Sequence, residues 1–228
     1  MAYGTIPYRV AHAMHVESFL AELDQRIASA LADLEGRAVA SEPGPDVGIP
    51  ELLRVALKKE LEASEEAALW MTREADVDVK LSLARQCGDE AKHYRLIEKR
   101  LGELGAPSLL PPSPPTPMFS FLAELGTTVE RVAAGQFTRE ALAQVHNRVF
   151  IEYCETRGDS ATAALYRDII QPDEAHHHAM GRTLLERLAV SEETQTLARA
   201  ASLRTLAIAG ELQETARLKR GIARAPGC

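Results

Sequence analysis

Apolar residues recur at three- and four-residue intervals along most of this chain, the spacing that lines one face of an α-helix. The first stripe, Val16, Leu20, Leu23, Ile27, Leu31 and Leu34, predicts an amphipathic helix over about residues 9–34. A turn-rich stretch, SEPGPDVGIP (41–50), separates it from two more helices, over about 51–74 and 77–104, the second stopped at Gly105. SLLPPSPPTP (108–117) interrupts the pattern, and its prolines favour an extended, semi-rigid connection. Helical periodicity resumes near Phe119, is expected to break near Gly135, and runs again over about 138–157. A short turn at GDSA leads into a helix over about 160–189, kinked at Pro172, and Ser191 caps a last helix to about Arg220.

Two helical hairpins divided by a long connection predict an all-α, four-helix bundle over about 51–189, with accessory helices at 9–34 and 191–220 in a single domain, 1–228. Ten residues in polyproline form reach roughly 31 Å, about the length of a 20-residue helix. Composition agrees: Ala, Leu, Glu and Arg dominate, with 46% hydrophobic and 26% charged residues. A net charge of −7 argues against a nucleic-acid partner. No apolar run approaches the ~20 residues that cross a bilayer, and the N-terminus lacks the pattern of a secretory signal. Cys87, Cys154 and Cys228 have no metal-knuckle spacing and cannot all pair, which suits a reducing cytoplasm.

The chemistry is carried by a repeat. Asp89-Glu90-Ala91-Lys92-His93 and Asp173-Glu174-Ala175-His176-His177 stand 84 residues apart, and the same shift aligns Leu81 with Leu165 and Leu101 with Leu185. On a helix, residues i and i+3 share a face, so Glu90 with His93, and Glu174 with His177, can grip one cation. Both pairs fall on apolar stripes, where an unpartnered carboxylate is costly. Two inward Glu-x-x-His pairs in a bundle centre suit a pair of metal ions, and carboxylate with imidazole suits iron or manganese.

Such a site needs one more carboxylate from each remaining helix. Counting equal heights from the first turn places Glu60 opposite Glu90, on a face with Ala56, Leu57 and Ala63; the rest of ELEASEE, Glu66 included, reads as solvated. In the second hairpin the 84-residue shift gives only Gln144. His146 lies on an apolar stripe with Leu142, Val149, Phe150 and Tyr153 and ranks first, followed by Glu140 and then Glu152. His176 and His178 read as flanking groups, Trp70 and the tyrosines as core, and Cys87 as a small hydrophobe.

The paired DEAKH and DEAHH, each closing a helical hairpin, resemble the ferritin-like di-metal carboxylate superfamily of ferritins, rubrerythrins, ribonucleotide reductase small subunits and di-iron oxygenases. The resemblance implies a ferritin-like bundle with Glu60, Glu90, His93, Glu174 and His177 as metal ligands. It also implies two iron ions, with manganese as the variant, and an oxidase or oxygenase acting on dioxygen and a small organic substrate, re-reduced by an external electron donor. A homodimer fits this class, as does the alternative of a storage protein or a scaffold with a decayed site. No rubredoxin-like Cys-x-x-Cys accompanies the motifs.

Overall fold

A computed structural model describes residues 13–40, 47–109, 113–220 and 226–227, which are helical with no strand among them. Expectations for residues 9–12, for 41–46 of the linker, for Leu110–Pro112 and for Cys228 lie outside the described residues. Helix α1 (Val16–Ala40) precedes a hairpin of α2 (Ile49–Met71) and α3 (Val77–Glu103). The hairpin turns where Asp76 caps α3, accepting from the backbone N–H groups of Asp78 and Val79 at 3.0 and 3.2 Å. Two short helices follow, α4 (Pro117–Ala123) and α5 (Thr128–Arg131), the latter with a full capping box from Thr127 and Glu130.

From α5 the helix continues unbroken, as a π-helical stretch over Val132–Arg139 and then α6 (Glu140–Thr156). The break expected at Gly135 does not occur. Gly135 instead lets the helix approach α2, since a Cβ there would fall 2.6 Å from the Trp70 ring. Gly158, at φ 75°, ends α6. The return strut is α7 (Ser160–Leu165), a π turn (Tyr166–Ile170) and α8 (Gln171–Leu188), after which α9 runs over Glu192–Arg220. The π turn ends two residues before Pro172, whose missing N–H removes a bond of the α-helical ladder there.

Ion pairs fix the directions. Glu74 binds Arg131 and Glu66 binds Arg139, so numbers fall along α2 as they rise toward α6. Lys92 with Asp173, and Arg187 with Asp76 and Asp78, do the same for α3 and α8. The connection between hairpins must therefore climb the length of α2, and it does so in two parts. Pro107, Ser113, Pro114 and Thr116 meet Arg54, Lys58 and Glu62, roughly 12 Å of helical rise, and α4 completes the climb to Trp70 and Arg73. The proline-rich segment alone does not span the helices, as its ten residues had led us to expect.

Two apolar cores result. One gathers Phe19, Leu23, Trp70, Leu83, Phe137 and Leu185 beneath α1 and α9. The other gathers Leu53, Leu57, Ile97, Leu101, Phe150 and Tyr166. Along α2 and α3, Glu60 and Glu90 fall between the stretches that feed the two cores.

Candidate metal centre

Glu60, Glu90, Glu140 and Glu174 are each 0% exposed, and His93 and His177 are buried beside them. Six such groups converge because each helix contributes at one height: Glu60 from α2, Glu90 and His93 from α3, Glu140 from the head of α6, and Glu174 and His177 from α8. They form two sets, Glu60 with Glu90, His93 and Glu174, and Glu90 with Glu140, Glu174 and His177; within each set one ligand atom per residue lies within 4.8 Å of all the others. Either set could hold a metal ion, and Glu90 and Glu174 belong to both.

The two imidazoles are posed alike. His93 turns Nδ1 toward Glu90 and Glu60, at 3.3 and 3.4 Å, and Nε2 to Asp173 at 3.0 Å. His177 turns Nδ1 toward Glu90 and Glu174, at 3.5 and 3.6 Å, and Nε2 to Asp89 at 3.2 Å. Each aspartate that precedes a glutamate of one motif thus orients the histidine of the other. An imidazole anchored at Nε2 by a carboxylate offers Nδ1 for coordination in a fixed tautomer. Burial works against charge on Asp89 and Asp173, but the imidazoles, with Arg85 or Lys92, outweigh it and hold both carboxyls below the usual range.

Four buried carboxylates in one space repel, and the molecule answers with protons and one arginine. Burial raises Glu90 and Glu174 above the ordinary carboxyl value, with neighbouring carboxylates adding to the effect. Burial also opposes charge on His93, but Glu60 and Glu90 overcome it and carry its pKa to about 11. Arg139 reaches Glu66 at 2.6 Å and Glu140 at 3.3 Å. Despite that guanidinium, burial and the nearby Glu140 and Glu90 push Glu66 up to about 8. Gln86 donates to Glu140 at 2.6 Å and fixes its other side.

The residues fit a bound cation on independent grounds. Neither oxygen of Glu60 has a hydrogen-bond partner, and neither does Nδ1 of His177, although all three atoms are buried. Buried polar atoms without partners are rare and costly, and these point at the shared carboxylates. A groove of about 740 Å³ between α3 and α8 reaches the centre at His177, with Leu81, Arg85, His176, Met180 and Leu184 on its walls.

Comparison with family models, with curated proteins and with solved structures finds no match to this chain. The geometry therefore stands by itself.

Of the six ligands read from the sequence, five converge and one does not. His146 is half-buried and belongs to neither set; Glu140 takes the place expected of it, and Glu152 is exposed. The buried stripe of α6 runs through Glu140, Ala143, Asn147, Phe150 and Cys154, one residue away from His146. Because the helix is continuous through Gly135, Glu140 is not in a first turn but well inside a long helix. Glu66, read as solvated, is 1% exposed and bound to Arg139. Asp89, Asp173 and Arg139 were not assigned roles from sequence; the doubled Asp-Glu was the available signal for the first two. His178 donates to the Phe137 carbonyl at 2.7 Å and stacks on its ring, outside the cluster.

Among the described residues no helix is long and apolar enough to cross a membrane. Cys87 and Cys154 are free thiols, and burial pushes Cys154 up to about 12, away from ligand chemistry at neutral pH.

Proposed function

We propose that this chain is a ferritin-like four-helix bundle whose centre holds two iron ions, or iron with manganese, and activates dioxygen to oxidise a small organic molecule. The observation that carries this reading is the sharing of Glu90 and Glu174 between two ligand sets. Two carboxylates common to both sets are what a pair of closely spaced cations requires, and an all-oxygen-and-imidazole donor set favours iron or manganese over zinc. Such a pair, when bound, supplies the two electrons with which dioxygen reduction begins.

The chain's own groups then have distinct tasks. Glu60 and Glu140 each complete one set. Asp89 and Asp173 hold Nε2–H of the opposite histidine, so that neither ring rotates as charge in the centre changes. Gln86 and Arg139 restrain Glu140, whereas Glu60 is met by His93 Nδ1 at 3.4 Å. Glu66, with its pKa near 8, can give or take a proton beside Arg139 without solvent entering. The apolar cores above and below exclude water from the reacting space.

The test is to load the protein with ferrous iron without air and then mix it with oxygen. The expected outcome is one stoichiometric oxidation that stops until reductant is added, with the protein remaining a small oligomer. Continued uptake of iron into a large hollow particle would assign the chain to storage instead, and no oxidation at all would leave a scaffold.

A further inference from the structure

One contact at the centre is not made by the four helices. Pro226 and Gly227 are buried, and they lie against α2 and α6 beside Glu60. The Gly227 N–H donates to Asn147 Oδ1 at 2.9 Å, and Lys59 Nζ donates to the Pro226 and Gly227 carbonyls at 3.2 and 3.3 Å. Gly227 has φ of 85°, and a Cβ on it would fall 2.7 Å from Glu60 Oε1 and 3.6 Å from Ala56. At that φ, a residue without a side chain seats there without strain and without displacing the carboxylate. Asn147 is 0% exposed, and its Nδ2 has no hydrogen-bond partner, so a donor remains at the seat that the dipeptide does not use.

We propose that Ala56, Lys59, Glu60 and Asn147 form a subsite that recognises a secondary amide, and that Pro226–Gly227 is its built-in, displaceable occupant. The seat reads the two halves of an amide separately. A buried Asn oxygen takes the N–H, and a half-buried ammonium takes the carbonyl. A ligand lacking the N–H leaves Asn147 Oδ1 buried and unpaired, which is how a polar site rejects a near-isostere. The occupant is held by three hydrogen bonds, all to the side chains of Lys59 and Asn147, so its release breaks no helix or other backbone pairing. Its departure opens the flank of Glu60 that Gly227 now covers. The inference deepens the proposed function by naming a substrate class, small molecules bearing a secondary amide, and it rests on that reading only for what happens after binding.

The experiment titrates full-length, metal-free protein with acetyl-prolyl-glycinamide and follows binding by calorimetry. Gly227→Leu puts a branched side chain at φ 85° against Glu60 and weakens the seat, so this variant is expected to bind the probe at least about ten times more tightly than the wild type, whose own segment competes at a high effective concentration. The ester analogue, which replaces the glycine N–H by oxygen, should bind Gly227→Leu at least tenfold more weakly than the amide. Adding Asn147→Leu to Gly227→Leu should remove amide binding. Equal affinity in wild type and Gly227→Leu, no binding to either, or binding indifferent to the ester or to Asn147→Leu would overturn the proposal. Should Gly227→Leu fail to fold by circular dichroism, Gly227→Ala replaces it, since the methyl alone meets Glu60. Metal content is measured separately by elemental analysis, so loss of the metal reading and loss of the subsite are told apart.

Discussion

The two hairpins carry the same motif on different scaffolds. In the first, α2 and α3 are regular α-helices joined by a capped turn, and the third carboxylate, Glu60, lies where equal counting from the turn puts it. In the second, a π-helical stretch ends at Arg139, just before Glu140, and a π turn ends at Ile170, four residues before Glu174. A π turn takes in an extra residue and rotates every later side chain relative to a 3.6-residue count. Such turns concentrate where a helix must present groups that its regular period would hide. The difference teaches that a symmetric pair of Glu-x-x-His motifs does not require symmetric helices, and that the irregular hairpin is the one that had to be bent to fit.

The comparison breaks most decisively if the shared carboxylates prove dispensable. Glu90→Ala with Glu174→Ala should reduce bound metal from about two equivalents per chain to none, read by elemental analysis of protein from iron-supplemented cells; full occupancy would remove the centre altogether. Next in size is a direct contrast between the hairpins. Glu60→Ala and Glu140→Ala should each lose about one equivalent, whereas His146→Ala should keep both. Loss of metal in His146→Ala with retention in Glu140→Ala would restore the symmetric ligand read from the sequence.

Two stability measurements sharpen the contrast. Gly181 on α8 lies so close to the π stretch that a Cβ would meet the Gln136 and Phe137 backbone at 2.7 to 2.9 Å, while a Cβ on Gly88 of α3 meets nothing within 4 Å. Gly181→Ala should cost about 1–3 kcal/mol, and Gly88→Ala should be neutral or stabilising by about 0.4–1 kcal/mol. Chemical denaturation that ranked them the other way would place the tight packing in the wrong hairpin. A further contrast is expected from pH. Folding raises Glu66 from 4.5 to about 8 and His93 from 6.5 to about 11, so the folded metal-free chain holds protons that the unfolded chain releases. Its stability must then fall as pH rises, with both groups contributing between 6.5 and about 8. The melting temperature should drop across that window by about 2–4 °C for each kcal/mol lost, and bound metal, which takes the place of the proton on His93, should flatten the slope. A melting temperature that climbs with pH would contradict the assignment.

Much of the helical pattern was legible because it depends on local spacing. The stripes through Leu20 and Leu23, the stop at Gly105 and the inward faces of Glu60, Glu90 and Glu174 need no knowledge of distant residues. Glu66 was not legible and Glu140 ranked only behind His146, for one reason. Each is buried by virtue of Arg139, which lies 73 residues from the first and next to the second, and no periodicity encodes that pairing. The seat of Gly227 on Asn147 is a contact of the same kind.

The crossed histidine–aspartate pairs have a kinetic meaning. His93 with Asp173, and His177 with Asp89, join residues 80 and 88 positions apart, so neither bond exists until the hairpins have docked. Contacts that close such long loops form late on the folding pathway, and stabilising late contacts slows unfolding far more than it speeds folding. Cations bridging the same two hairpins would act at that same late stage. The centre should therefore lengthen the lifetime of the native chain, leaving its rate of formation nearly untouched.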